Sequence, residues 1–506
     1  MSQDTFTAAV FIGIHLRSES VHALAVTEHG EIVAEANAPY PKKNHPPAQK
    51  GFVEENPEVW WEGTRLAAGH LVSQLRTKLA NASQLKAVSV SCQPGVLVTL
   101  DRRGVPVLPA ILAADERGFD YVKSLNFHGR EHCERNGIIF SASDPIAKIA
   151  WVKDNNPDLY EDAVFLHQAD FILGRLKGSP DVTEYSFAAR SGCDLIDENW
   201  PDWLDYDMYL SVRDRLPALT HFGTKIGTVT AQASAATGLP AGIDVIMGTV
   251  SGVAEFIASG ARKTGDFHTM LIDHLTISGI APKLIRTPHT HISCHKLPNK
   301  AWMYSVESRT GTEWIKSWFS ENAFKELETQ VVSLLPSSYL AYPNVAKGET
   351  FPFVSSRAEG FISPATDDRE VQFVSCIQGT AMFERFCCQR LDVLAEAADT
   401  AGDVYTGGNW ASSDVWMQCR ADVMGRINRR MRGCSGTAYG TAMIAALGSV
   451  FHSFEPLADA MLAVEGTFFP NPDMHSRYNE LYQNFYDLME EQGYINSSGV
   501  HNAPDV

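Results

Sequence analysis

Ser143-Asp144-Pro145-Ile146-Ala147-Lys148-Ile149-Ala150-Trp151-Val152-Lys153-Asp154-Asn155 is the stretch of this 506-residue chain on which the reading of the fold turns. It has company on both sides. Upstream lie Gly51-Phe52-Val53-Glu54 with Pro57 and Trp60-Trp61, then Pro109-Ala110-Ile111-Leu112 ahead of Asp115 and Arg117. Downstream come His167-Gln168-Ala169-Asp170-Phe171 and Thr237-Gly238-Leu239-Pro240-Ala241-Gly242. Each is a weak signal alone; their order is informative.

Between these segments the hydrophobic period switches between strand and helix. Ala8 to Ile14 is a short apolar run rich in β-branched residues, and Val21 to Val26 with Ile32 to Ala36 continue it across the turn Glu28-His29-Gly30, which predicts a hairpin at the start of a sheet. Pro57 to Leu79 places apolar residues at helical spacing, and Ala87 to Ser91 is a second strand signal. Val96 to Leu100 is expected to pair back through Arg102-Arg103-Gly104. Strands mixed with helices predict an α/β lobe. A similar order restarting near Ile243, with Val245 to Gly248 and Thr269 to Ile272, predicts a second one. Leu219 to Pro240, with Gly223, Gly227 and Gly238, has the composition of a loop-rich crossing and puts the hinge near Gly242. The expected divisions are residues 1–242, residues 243–460 and a C-terminal helical segment over residues 461–506. In the second of these, Val404-Tyr405-Thr406-Gly407-Gly408 reads as a strand ending in glycines, which let backbone amides approach a ligand. Helices over Ser413 to Gly425 and Thr437 to Leu447 follow.

Composition narrows the classes. A chain of 506 residues with 44% apolar content exceeds the size at which one core stops growing, so two domains are expected. Lys plus Arg total 42 against 60 for Asp plus Glu, and a formal charge of -18 repels a phosphate backbone, which excludes nucleic acid as a partner. The nine cysteines are scattered, with neither a CxxC pair nor zinc-ligand spacing, and read as reduced, buried thiols. Met1-Ser2-Gln3-Asp4 lacks the positive start of a secretory leader, and Ala8 to Ile14 is too short to cross a bilayer. A soluble cytoplasmic protein with no membrane partner is expected.

In that order and at those separations the quoted segments resemble the FGGY carbohydrate kinases over nearly the whole chain, and the xylulokinase-like branch most. The stretch from Ser143 to Asn155 fits the first signature of that family at every constrained position. The resemblance implies an α/β fold of two ribonuclease H-like (actin-like ATPase) lobes flanking a central cleft, sugar on the first lobe and nucleotide on the second. It implies ATP and Mg²⁺ as cofactors, ATP-dependent phosphorylation of a ketopentose or polyol, and admits a homodimer.

That chemistry needs Mg²⁺, amide donors around the phosphates, and a carboxylate that accepts the hydroxyl proton. The family's first phosphate loop, Asp-x-Gly-Thr/Ser, is here His15-Leu16-Arg17-Ser18, without carboxylate or glycine. Imidazole is a poor ligand for so hard a cation, although Arg17, beside Ser18, can meet a phosphate by charge. Counting back from Ala258-Ser259-Gly260, the family's catalytic aspartate falls on Ser251, which has no appreciable basicity near neutral pH. The second phosphate loop, Gly-Thr-Ser-Gly, falls on Ile272-Asp273-His274-Leu275, whose branched and acidic side chains crowd and repel phosphate. In the sugar site Gln-x-His-Gly becomes Gln93-Pro94-Gly95-Val96, and the Trp ahead of Asp-x-Arg becomes Ala113 or Ala114.

The remaining candidates each have a plainer reading. Gln93, Asp115, Arg117 and Asp170 stand where the resemblance places sugar contacts, and Asp115 and Arg117 equally suit an internal salt bridge. Gly407, Gly408 and Asn409 resemble the adenosine-binding region, or make a tight turn. Asp266 and Asp273 are either a displaced base or metal ligand, or solvated loop acids. His289, His291 and His295 cluster at a spacing that matches no metal pattern, so no metal site is assigned. Two functions follow: a sugar kinase with impaired transfer, or a non-catalytic relative that binds sugar, adenine nucleotide or a protein partner and reports the bound state.

Overall fold

The computed structural model describes residues 7–41, 50–206, 210–287, 292–397, 400, 402–432 and 436–495. Two compact units divide the chain: Met1–Ala258 with His295–Pro298 and Gly436–Ala463, and Ser259–Cys294 with Asn299–Ser435 and Val464–Val506. The helices used below are α1 (Glu58–Leu75), α2 (Pro145–Asn155), α3 (Gln168–Lys177), α4 (Ser251–Ser259), α5 (Arg369–Leu394), α6 (Asp414–Met424), α7 (Thr437–Ala446) and α8 (Pro472–Glu491). No described helix is long and apolar enough to cross a membrane.

The first unit is built on β1 (Val10–Leu16), β2 (Ser20–Thr27), β3 (Ile32–Pro39), β4 (Leu85–Cys92), β5 (Lys225–Thr228) and β6 (Asp244–Ile246), side by side in the order β5-β6-β4-β1-β2-β3. β1–β2 and β2–β3 are antiparallel, β4 runs parallel to β1 and β6 to β4, and β5 closes the edge antiparallel to β6. β1 is buried along its whole length, as the apolar run Val10 to Ile14 favours in a central strand, whereas β3 mixes exposed and buried residues. α1 covers β2 and β3 with Val59, Trp60, Ala67, Leu71 and Leu75. α7 lies so close to β1 that a Cβ on Gly13 would stand 2.0 Å from the Ala438 carbonyl oxygen.

The second unit repeats this plan. Six of the seven strands of its sheet, β7 (Phe267–Leu271), β8 (Leu275–Ala281), β9 (Trp302–Ser308), β10 (Val404–Gly407), β11 (Asn428–Met431) and β12 (Val464–Phe468), lie in the order β9-β8-β7-β10-β11-β12. The senses match strand for strand: β7–β8 and β8–β9 antiparallel, β7–β10 and β10–β11 parallel, β11–β12 antiparallel. The β1–β2 turn at Arg17 and the β7–β8 turn at Asp273 are therefore equivalent points of two like sheets. On the helical side α5 packs against α6, and α6 against α8.

The repeat corrects the expected boundaries. Val245 does not open a second lobe, because β6 pairs with β4 in the first sheet and the chain leaves that unit only after Ala258. Leu219 to Pro240 is no loop-rich crossing either: it contains β5 and a helix over Ala231–Thr237. Gly436–Ala463, expected in the second lobe, belongs to the first unit because α7 packs on β1 and β4. The strand and helix from Val404 to Gly425 are found as expected, with Ser413 capping α6 through the Trp416 amide and Gly425 ending it in the left-handed region. α8 accounts for the expected C-terminal helix. His289, His291 and Cys434 lie outside the described residues.

Candidate functional site

In an open sheet with parallel strands, the carboxyl ends of those strands gather the ligand-binding loops. In the first unit the ends of β1, β4 and β6 meet laterally: Leu16 pairs with Cys92, and Cys92 bridges to Val250. Three positions singled out from the sequence, Arg17, Gln93 and Ser251, follow directly after these neighbours and so share one edge. Arg17, Ser18 and Gln93 are exposed there. Arg17 Nη2 meets His22 Nδ1 at 2.8 Å, and His22 Nε2 meets Glu35 at 2.7 Å.

Lys148 explains what the signature stretch does physically. Its side chain is buried, and Nζ donates to the carbonyls of Gly95 at 2.5 Å, Leu112 at 2.7 Å and Ser143 at 3.0 Å. One ammonium thus ties together the loop after β4, the loop before Asp115 and the start of α2. Asp115 and Arg117 form an internal pair: Arg117 Nε donates to Asp115 at 2.8 Å and Nη2 to Glu54 at 2.6 Å, while Asp115 also accepts the Val53 amide at 2.6 Å. The guanidinium lies 3.8 Å from the Phe52 ring centre and 4.6 Å from that of Trp151, so neither charge is left facing a ligand unshared. Asp170 is buried and its Oδ2 accepts from the His167 amide and faces His167 Nδ1 at 2.9 Å; its Oδ1 is buried with no partner.

Two carboxyls near the β6 end escaped the sequence reading. Glu184 is wholly buried and accepts from Thr249 Oγ1 and the Ser186 amide, both at 2.9 Å. Burial pushes its pKa up to about 8 against the pull of those donors. A carboxyl that binds its proton more tightly when folded makes the protein lose stability as pH rises from its ordinary value of 4.5 toward 8, where the loss levels off. Glu184→Gln removes that titration, so its stability relative to wild type should grow by on the order of 1 kcal/mol per pH unit between pH 5 and 8. Thermal melts of both proteins across that range check it, and a pH-independent difference counts against a protonated Glu184.

The other is Glu255. Ser251 opens α4, is 4% exposed, and its Oγ has no partner. Four residues on, Glu255 is half-buried, and burial alone raises its pKa, since no described residue donates to it. The signal that would have found it is the spacing: residues four apart share a helix face.

In the second unit the candidate acids are occupied. Asp273 pairs with Lys316 at 3.0 Å, and Asp266 accepts the amides of Arg262, Lys263 and Asp403 at 3.1 Å each, which makes it a loop-closing group. Gly408 has φ +90°, and a Cβ there would stand 2.4 Å from the Leu271 carbonyl oxygen, so only glycine allows the end of β10 to approach the end of β7 this closely. Asn409 follows, exposed. A cavity of about 640 Å³ adjoins the β7–β8 turn, lined by His274, Thr276, Ser305, Glu307, Arg309 and Thr350 among others.

Mg²⁺ requires oxygen ligands, carboxylates above all. At the β1–β2 turn the groups are His15, whose pKa burial lowers to about 4 so that it is neutral, and Arg17, a permanent cation. At the equivalent second turn Asp273 is a single exposed carboxylate facing Lys316. These residues do not fit the ion, and no cluster of three or more metal-ligating side chains occurs among the described residues.

Profiles described as the "FGGY family of carbohydrate kinases", N-terminal and C-terminal domains, match residues 10–257 and 282–449. The xylulose kinase of Bacillus subtilis (strain 168) is 26% identical over 491 residues, spanning 94% of this chain and 96% of its own. The xylulose kinase of Staphylococcus xylosus is 24% identical over 500 residues, spanning 95% and 100%. The crystal structure of xylulose kinase from Rhodospirillum rubrum superposes with a TM-score of 0.78 at 22% identity, covering 96% of this chain and 99% of that one. That likeness shows the fold, the two-lobed α/β architecture of actin-like ATPases.

Proposed function

Because the chain belongs to the FGGY family of carbohydrate kinases, we propose that it binds a ketopentose-like sugar or a polyol and that its transfer of phosphate from ATP is impaired. Ser251 carries this reading. It stands where the family holds its aspartate, and the first turn of α4 contains no acidic residue at all. A serine hydroxyl does not take up the sugar's proton near neutral pH, so the attacking oxygen would have to lose it unaided.

The surrounding groups support the same conclusion. Neutral His15 and cationic Arg17 at one turn offer no carboxylate to magnesium, and at the other Asp273 is exposed and faces Lys316. Sugar binding draws support from the edge itself: loops held by Lys148, and the free acceptor of Asp170. A second reading, a non-catalytic sensor of sugar or adenine nucleotide, is favoured by both turns being altered at equivalent points.

A coupled ADP-release assay over ketopentoses and polyols, run beside thermal shifts with and without ATP and Mg²⁺, tests both. The expected result is stabilisation by a sugar or polyol with turnover far below about 1 s⁻¹, the lower end of ordinary enzymes. Stabilisation with no turnover selects the sensor, and turnover in the ordinary range defeats the proposal.

A further inference from the structure

The helix Phe119–His128 of the first unit turns Leu125 inward, flanked by half-buried Tyr121, Val122 and Asn126. The side of a surface helix that faces water carries polar residues. Here it carries two phenylalanines as well: Phe119 is 71% exposed and Phe127 74%. Eight residues apart, they lie about 12 Å from each other along the axis and about 80° apart around it, with exposed Lys123 between them. Asn126 brings a third apolar group to the same place. Its side chain donates to the Phe140 carbonyl at 2.8 Å and accepts the Phe140 amide at 2.9 Å, which holds Ile139, itself 71% exposed, at the Phe127 end of the helix.

Single exposed apolar residues are normal, whereas three large ones side by side form a patch. A large side chain has about 200 Å² of surface, so at these exposures the three present about 400 Å² to water, within the range of patches that carry function. Size indicates what covers it. Homodimer interfaces are about 65% apolar, so such a patch corresponds to about 600 Å² per copy and about 1,200 Å² in a pair, the lower end of a specific protein–protein interface. Charge points the same way. A chain with a formal charge of -18 repels its own copies in general, but on this patch Asp120 and Lys123 are both exposed and offer one charge of each sign, and neither has an ion-pair partner among the described residues. Two copies meeting here about a two-fold axis set each acid against a surface that holds a base.

We propose that Phe119, Phe127 and Ile139 form the self-association surface of this chain, through which two copies pair about a two-fold axis with Asp120 and Lys123 of each facing those of the other. The pairing depends on neither sugar nor nucleotide.

Sedimentation velocity of the full chain tests it between about 1 and about 200 µM, since an interface this small belongs at the micromolar end of affinities. Wild type should pass from monomer to dimer in that range. Phe127→Ser and Phe119→Ser should each weaken the pairing at least about 30-fold, the value of a hot spot, with circular dichroism and melting temperature as in wild type. Lys123→Asp leaves two acids on each patch and should weaken it several-fold. Adding Asp120→Lys to that variant should restore it, because exchanging the two charges preserves every opposite-charge contact across a two-fold axis. A chain still monomeric at the highest concentration overturns the proposal, as does a dimer that both serine variants leave unchanged or a double variant no better than Lys123→Asp alone. If monomeric wild type floats with phosphatidylcholine vesicles and the serine variants do not, the patch takes a membrane and the second copy is excluded.

Discussion

Ser251→Asp is expected to leave ATP-dependent phosphorylation at least about 10²-fold below that of a xylulose kinase assayed beside it. A general base contributes about 10²–10⁴-fold, so restoring it would repair one loss only. Electrostatic stabilisation of the transferring phosphoryl group is a separate and commonly larger contribution, and Arg17 and Asp273 stand where it should be supplied. Groups acting as a unit are non-additive, so a base without the phosphate loops has little to act on. The new carboxylate would also lie one helical turn from Glu255, and two acids that close raise each other's pKa, weakening both as ionised acceptors. Steady-state ADP release across the same sugars decides the matter. A single-site variant with ordinary turnover would show that the two altered turns are harmless and that the impairment resides in Ser251 alone.

The fold was legible wherever local pattern and tertiary role agree. The apolar run from Ala8 to Ile14 and the segments after it predict a hairpin, and β1 pairs with β2 as one; Val404 to Gly408 predicts a strand ending in glycines, and β10 is that strand. The failures share one cause. β6 was read as the opening of a new lobe because a strand signal does not say which sheet it joins, and only its pairing with β4 assigns it to the first unit. The return of α7 to the first sheet across some 170 residues of the second unit leaves no trace in periodicity at all. At the site, Arg17, Gln93 and Ser251 were found through a resemblance, and their convergence follows from the parallel order of β1, β4 and β6. Glu184 and Glu255 were missed because their significance is burial and the lack or weakness of partners, properties of the packed state. Asp115 and Arg117 show the converse: residues at ligand-like positions whose charges the protein itself satisfies.

The largest expected loss of stability comes from Glu384→Gln. Arg420 and Glu384 have no exposed side-chain surface, and the guanidinium binds the carboxylate through Nε at 2.6 Å and Nη2 at 2.5 Å. Its outer nitrogens also donate to Thr406 at 2.6 Å and Thr269 at 2.5 Å, and Thr406 passes the chain on to Asn428 at 2.7 Å. α5, α6, β7, β10 and β11 are thereby fixed by one ion pair in the middle of the second unit. Neutralising Glu384 strands a buried cation, a change that costs about 3–5 kcal/mol, or roughly 6–20 °C in the melting temperature of a domain this size. Replacing both partners, Glu384→Leu with Arg420→Met, should cost less than the single change, since no charge is then left buried. The consequence reaches the site because Thr269 and Thr406 lie just ahead of the β7–β8 turn and of Gly408. Hydrogen exchange at Leu271, Asp273 and Gly408 should therefore quicken in Glu384→Gln, while exchange along β1 and β4 stays as in wild type. A melting shift under about 2 °C, with exchange unchanged at those amides, would mean the pair is dispensable and the strand ends are held by packing alone.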